Sequence, residues 1–258
     1  MVWRKPGLAV FAIIFGGGAM AEIAGEEKKS GSGFMSRETQ AMQADDTSNP
    51  GMFSVLDGER LWREPVGPAM KSCASCHGDA EVSMRGAAAR HPAFDETSGK
   101  AIDLAGRIKL CRRDKQTAEP FPRGSEELLA LTTYVGTQSR GMPVAPPVDE
   151  RLTPSRENGK RLFEARIGQL DLSCASCHDD NWDKRLGGSP ITQAHPTGYP
   201  IYRLEWQSVG SLQRRMRNCM VGVRAEPYEF GSQEFIDLEA YLNTRASGLA
   251  VETPGVRP

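Results

Sequence analysis

The sequence predicts a mainly α protein built from two tandem small domains related by duplication, and three observations carry that prediction. Cys73-Ala74-Ser75-Cys76-His77 recurs 101 residues later as Cys174-Ala175-Ser176-Cys177-His178. The flanking residues recur in the same order: Gly58-Glu59-Arg60-Leu61-Trp62 as Gly159-Lys160-Arg161-Leu162-Phe163, and Leu104, Arg107 and Cys111 as Leu212, Arg215 and Cys219. Each half then closes on apolar residues at helical spacing, at 128, 131, 134 and 135 and again at 235, 238, 241 and 242. So many matches in one order point to an internal repeat. Downstream of the boxes the offset grows to 107 or 108, as between Ala118-Glu119-Pro120-Phe121 and Ala225-Glu226-Pro227-Tyr228. The second half therefore holds an insertion between its box and Cys219.

Taken in order, residues 1–21 read as a secretory signal peptide. Arg4 and Lys5 precede a short apolar run, and Ala19-Met20-Ala21 is a small-residue cleavage signal. Cleavage after Ala21 predicts an exported, periplasmic chain; a membrane anchor is the alternative. Residues 22–50 are polar and read as an N-terminal arm, either without fixed structure or docked on a partner. Residues 51–145 form the first domain and 146–258 the second. The segments around Leu61-Trp62 and Leu162-Phe163 lead into the boxes, with Ser155 after Pro154 as the expected cap in the second copy. Ser125 and Ser232 are the expected caps of the closing helices. Four prolines in residues 139–154 mark the linker. No later stretch approaches the apolar length of a membrane span. Lys plus Arg (32) balance Asp plus Glu (33), which argues against a nucleic-acid partner.

Six cysteines in an exported chain first suggest disulfides, but four of them lie in C-x-x-C-H boxes. Two thiols at that spacing add to the two vinyl groups of a porphyrin, and the next residue is held beneath the iron. Cys73 and Cys76, and Cys174 and Cys177, are thus the expected covalent attachments of two haem c groups, with His77 and His178 as proximal iron ligands. Zinc would want four grouped ligands per site, and a thioredoxin-like pair would not need the histidine. A helix, a box, a loop-rich middle and a closing amphipathic helix form the layout of a class I cytochrome c domain, here two in tandem. Hydrophobic residues are only 39% of the chain, so a buried porphyrin would supply the apolar centre each small domain lacks.

The other face of each iron is less determined by sequence. Met142, in Gly141-Met142-Pro143, has a familiar distal look but follows the closing helix. His91 and His195, each before a proline, lie early in the loops. Cys111 and Cys219 lie where such a domain places its distal ligand, each ending a Leu-x-x-Arg-x-x-x-Cys run; a disulfide between them is the alternative. Thiolate stabilises ferric iron and is also a nucleophile. Arg214, Arg215, Arg217 and Arg224 surround Cys219, and Arg215, four residues before it, shares its helical face. These cations suit an anionic substrate, or pair with haem propionates.

Residues 199–250 resemble the SoxA family, dihaem cytochrome subunits of the periplasmic sulfur-oxidising Sox complex. The residues carrying the resemblance are Gly198-Tyr199-Pro200-Ile201-Tyr202-Arg203-Leu204, Gly210-Ser211-Leu212, Arg214-Arg215-Met216-Arg217-Asn218-Cys219, Arg224-Ala225-Glu226-Pro227 and Gly231-Ser232-Gln233-Glu234-Phe235. With the boxes, the likeness covers most of residues 50–250. It implies a partner, the small monohaem cytochrome SoxX, and a reaction: thiosulfate is joined to a cysteine thiol of the carrier SoxYZ, giving an S-thiosulfonate and two electrons. It implies that Cys219 is the catalytic residue, ligating the second haem and able to carry an extra sulfur, and that Arg215 holds the substrate anion. Two other readings stay open, a thiosulfate dehydrogenase forming tetrathionate and a plain electron carrier.

Overall fold

The computed structural model describes Met1 and residues 28–258; apart from Met1, the signal-peptide reading lies outside the described residues. The arm carries a 3-10 turn, Gly31–Phe34, and α1 (Arg37–Ala44). The first half runs α2 (Met52–Arg63), α3 (Cys73–His77), α4 (Ala80–Ser83), the hairpin β1 (Ala93–Asp95) and β2 (Lys100–Ile102), α5 (Leu104–Lys115) and α6 (Glu126–Thr137). The second runs α7 (Thr153–Glu164), α8 (Cys174–His178), the hairpin β3 (Arg185–Leu186) and β4 (Ser189–Pro190), and β5 (Ile201–Arg203). It continues through β6 (Ser208–Gly210), α9 (Leu212–Gly222) and α10 (Gln233–Arg245), and ends on β7 (Gly255–Arg257).

Each half is organised by one helix crossing, α2 on α6 and α7 on α10. At the crossings stand the matched glycines. A Cβ on Gly58 would meet the Ala130 carbonyl oxygen at 2.2 Å, and one on Gly159 would meet that of Asp237 at 2.0 Å. No other side chain allows that approach, which explains why glycine recurs there. One turn on, Trp62 and Phe163 are 4% and 1% exposed and pack on Tyr134 and Tyr241. The closing helices start as their sequences predict: Ser125 Oγ accepts from Leu128 N and Ser232 Oγ from Phe235 N. Helix α7 does not start at Ser155. It begins at Thr153, with Pro154 in its first turn and no side-chain cap. Proline lacks the N–H that the first turn leaves unpaired and its φ is already helical, so the helix forms around it rather than after it.

The insertion in the second half is the β3–β4 hairpin. Beyond it the halves run in step, β1–β2 matching β5–β6 residue for residue up to α5 and α9. β7 adds to β5 in parallel, giving the order β6-β5-β7. The arm is seated on the β7 edge of its own chain and on the loop before β5: Asn49 Nδ2 donates to the Pro254 carbonyl (2.9 Å), Val256 N to Gln43 Oε1 (3.0 Å) and Lys29 N to Gln193 Oε1 (2.8 Å). The proline-rich segment is also packed. Pro143 bridges Ala250 antiparallel, so the equivalent segments after the two closing helices pair with each other. Ala101, Leu152 and Ile236 bury a small apolar cluster between the halves. Among the described residues no helix is long and apolar enough to cross a membrane.

Candidate functional site

Each box is one helical turn with its own start signal. Ser72 Oγ accepts from Ser75 N (3.0 Å) while Ser75 Oγ accepts from Ser72 N (3.0 Å), and Ser173 and Ser176 do the same. This capping box holds a five-residue helix that propensity alone would not. It sets the two thiols three residues apart on one face of the turn, side by side. His77 and His178 then follow at the turn's end. His178 Nδ1 lies 2.6 Å from the Thr192 carbonyl oxygen. A carbonyl can only accept, so Nδ1 carries the proton and Nε2 keeps the lone pair a metal needs. His77 packs its ring against Trp62, centroids 5.6 Å apart, and Trp62 Nε1 donates to the Gly78 carbonyl (3.0 Å).

Half-buried Met84, Leu104, Ile108 and Phe121 pack on the same core cluster as Cys73, and Ile167, Leu212, Met216 and Tyr228 on the same cluster as Cys174. Paired thiols on one helical turn, a histidine directly after them and half-buried apolar side chains on the same core fit a flat, covalently held macrocycle in both halves, and in the second half His178 also keeps Nε2 free. Six free thiols leave no disulfide, so the Cys111–Cys219 pairing is not formed.

Cys111 and Cys219 come from α5 and α9, helices started by Asp103 Oδ1 accepting from Gly106 N (2.9 Å) and by Ser211 Oγ accepting from Arg214 N (3.2 Å). The fold brings each to its own box. Burial, and then the neighbouring Cys219, push the Cys174 thiol up to about 11. Cys73 is pushed up by burial and then by Cys111. The other distal candidates have structural uses. His91 Nδ1 meets the Ala87 carbonyl at 2.8 Å, and His195 Nδ1 meets the Lys29 carbonyl of the arm at 2.7 Å. Met142 sits in the bridge between halves, its carbonyl accepting from Val251 N (2.9 Å). His91 and His195 are not equivalents: the residue-for-residue register puts Tyr199-Pro200, not His195-Pro196, opposite His91-Pro92.

The four arginines around Cys219 separate into different roles. Arg214 lies over the Trp206 ring at 4.1 Å and donates to Ser208 Oγ. Arg217 donates to the Tyr228 carbonyl and lies over Phe230 at 4.7 Å. Arg224 is exposed. The Arg215 guanidinium makes no hydrogen bond or ion pair among the described residues. Its charge helps lower His178, after burial, and partly offsets the rise that burial imposes on Tyr199. Tyr199 and Arg203 thus join Cys219 and Arg215 at one locus. Sequence reading gave these two no role, although an ungapped overlay of residues 91–111 on 199–219 would have singled them out.

The family model for the SoxA/TsdA cytochrome c domain matches residues 57–144 and 158–251. The L-cysteine S-thiosulfotransferase subunit SoxA of Pseudaminobacter salicylatoxidans is 40% identical over 90% of this chain and 82% of that protein. That of Rhodovulum sulfidophilum is 35% identical over 90% and 81%. The crystal structure of SoxXA from P. pantotrophus superposes with a TM-score of 0.86 at 34% identity, over 90% of this chain and 87% of that one. On fold, boxes and relatives together, the chain belongs to the SoxA/TsdA cytochrome c family.

Proposed function

We propose that this chain oxidatively couples thiosulfate to a cysteine thiol of a carrier protein of the SoxYZ kind. The carrier thiolate and thiosulfate form one sulfur–sulfur bond, the product is the carrier S-thiosulfonate, and two electrons leave to a small monohaem cytochrome of the SoxX kind. The observation that carries the reading is local: a thiol, Cys219, beside the second box, with an unneutralised guanidinium, Arg215, one helical turn before it. An anion drawn to Arg215 meets a sulfur able to hold a half-reacted sulfur species covalently. In this reading Cys73, Cys76, Cys174 and Cys177 would attach two haem c groups, with His77 and Cys111 holding one iron and His178 and Cys219 the other. The haem supplies one-electron acceptance when bound; binding, orientation and charge compensation are the protein's part. Export to the periplasm with cleavage after Ala21 belongs to the same reading.

The experiment is steady-state turnover with thiosulfate, the carrier protein and the partner cytochrome, using wild type, Cys219→Ser and Cys111→Ser. Cys219→Ser is expected to abolish turnover and remove one thiolate-type paramagnetic resonance signal. Cys111→Ser is expected to remove the other signal and leave sulfur chemistry. Turnover that needs no carrier thiol and yields tetrathionate would instead mark a thiosulfate dehydrogenase.

A further inference from the structure

Residues 91–111 and 199–219 overlay without a gap, and in that register Asp95 and Arg203 occupy one place. Each ends the first strand of its hairpin, opposite Lys100 and Ser208 respectively. Arg107 and Arg215 likewise occupy one place on α5 and α9. In the first half Arg107 Nη1 lies 2.9 Å from Asp95 Oδ1, whose side chain is 2% exposed, so the cation is neutralised. In the second half that carboxylate is replaced by a guanidinium. Arg203 is 7% exposed, and its Nε is buried without a hydrogen-bond partner. Glu205 Oε1 comes within 3.0 Å of that nitrogen, but off the N–H direction, and its side chain is 50% exposed. The equivalent side chains Asp95 and Arg107 touch in the first half, so the same register sets Arg203 beside Arg215, and Arg203 feels the charge of Arg215 and of Cys219. Two inward cations with one rim carboxylate are costly unless an anion completes them.

We propose that Arg203 is the second cation of the sulfur-donor site, binding the oxyanion end of the donor together with Arg215. The Asp-to-Arg exchange at this hairpin position is then what makes the second half receptive to a dianion and keeps the first half closed to one. The inference rests on the proposed role of Cys219 and adds a specificity-determining residue to it. The rival use of Arg203 is to pair with a haem propionate, which predicts a different signature.

The test uses the haem-loaded chain with its partner cytochrome and carrier, varying thiosulfate and adding sulfate as an inert competing dianion. Arg203→Gln is expected to raise KM for thiosulfate and Ki for sulfate by about 10- to 100-fold, the loss of a charged hydrogen-bond donor, with kcat largely kept. Arg203→Lys should recover part, since an ammonium cannot make a forked contact. Arg203→Asp should weaken binding at least as much as Gln, yet fold normally, because Arg107–Asp95 shows that the pair it creates fits this hairpin. It therefore serves where the Gln variant proves unstable. Haem absorbance and resonance signals should stay as in wild type, whatever the midpoint potential does on loss of a nearby cation. Unchanged KM and Ki would overturn the proposal, as would a shifted midpoint potential with KM intact, the mark of a propionate partner. Wild type without thiosulfate-dependent turnover would instead sink the underlying reading of Cys219.

Discussion

At the scale of single residues, the two halves differ in how a matched arginine is satisfied. Arg215 has no counter-charge among the described residues, whereas Arg107 is tied to buried Asp95. Removing one charged donor to a transition-state anion costs about 10² to 10³ in rate. Arg215→Ala is therefore expected to lower thiosulfate-dependent turnover by about that factor with haem content unchanged. Arg107→Ala should leave turnover near wild type but lower stability by roughly 1–2 kcal/mol, because Asp95 loses its buried partner. Kinetics and thermal melting on the same preparations read both; equal kinetic losses would refute the assignment of catalysis to the second half. The candidate site residues were legible because their types and spacings are chemical requirements: two thiols and a histidine per box, and a matched cysteine with an arginine one turn away. Tyr199 and Arg203 were not. Their meaning lies in a comparison between hairpins: a three-residue strand of Ala-Phe-Asp or Ile-Tyr-Arg carries no periodicity of its own, and only extending the Leu104–Leu212 register back through it sets Asp95 against Arg203.

At the scale of elements, glycine at the two helix crossings decides how each half closes. In an exposed helix Gly→Ala stabilises by about 1 kcal/mol. Here the sign reverses, since an added methyl would sit 2.2 Å from the Ala130 carbonyl oxygen or 2.0 Å from that of Asp237. Gly58→Ala and Gly159→Ala must push the helices apart, at a cost of about 1–3 kcal/mol or more. Both are expected to lower the melting temperature and the yield of haem-loaded protein, while Gly222→Ala, at the end of α9 with nothing within 4 Å of its Cβ, should be neutral or slightly stabilising. Melting curves in which Gly222→Ala costs as much as the other two would contradict overpacking at the crossings. The closing helices and boxes were legible because a 3.6-residue apolar pattern or a capping serine announces them locally. The short strands were not, since β7 is defined by β5, some fifty residues earlier. The arm illustrates the same limit: its polar composition suits a surface segment, and only the fold shows that its seat is β7.

At the scale of the whole molecule, the halves meet through polar contacts as well as the small apolar cluster, and one of them titrates. Gln213, on the helix of Arg215 and Cys219, donates to Glu239 Oε1 (2.9 Å) of its own half and to Asp103 Oδ2 (3.3 Å) across the interface. Arg123 engages Asp103 through both terminal nitrogens, at 2.5 and 2.7 Å. Burial first, and the charge of Asp103 second, push Glu239 up to about 8, with Gln213 and Arg123 offsetting part of the rise. The same carboxyl in the unfolded chain titrates near 4.5. Between those two values the folded protein holds a proton that the unfolded chain has released. Its stability therefore falls as pH rises through that window and levels off above about 8. Glu239→Gln keeps a neutral hydrogen-bonding group of the same shape and removes the titration. It is expected to flatten the decline and to raise stability at pH 9 by roughly 1–3 kcal/mol, with little change at pH 5. Calorimetric melting of wild type and variant across pH 5 to 9 measures this directly. The expected result is a gap between the two curves that widens with pH; parallel curves would mean that Glu239 is already ionised in the folded protein and that Arg123, rather than a bound proton, balances the two carboxyls.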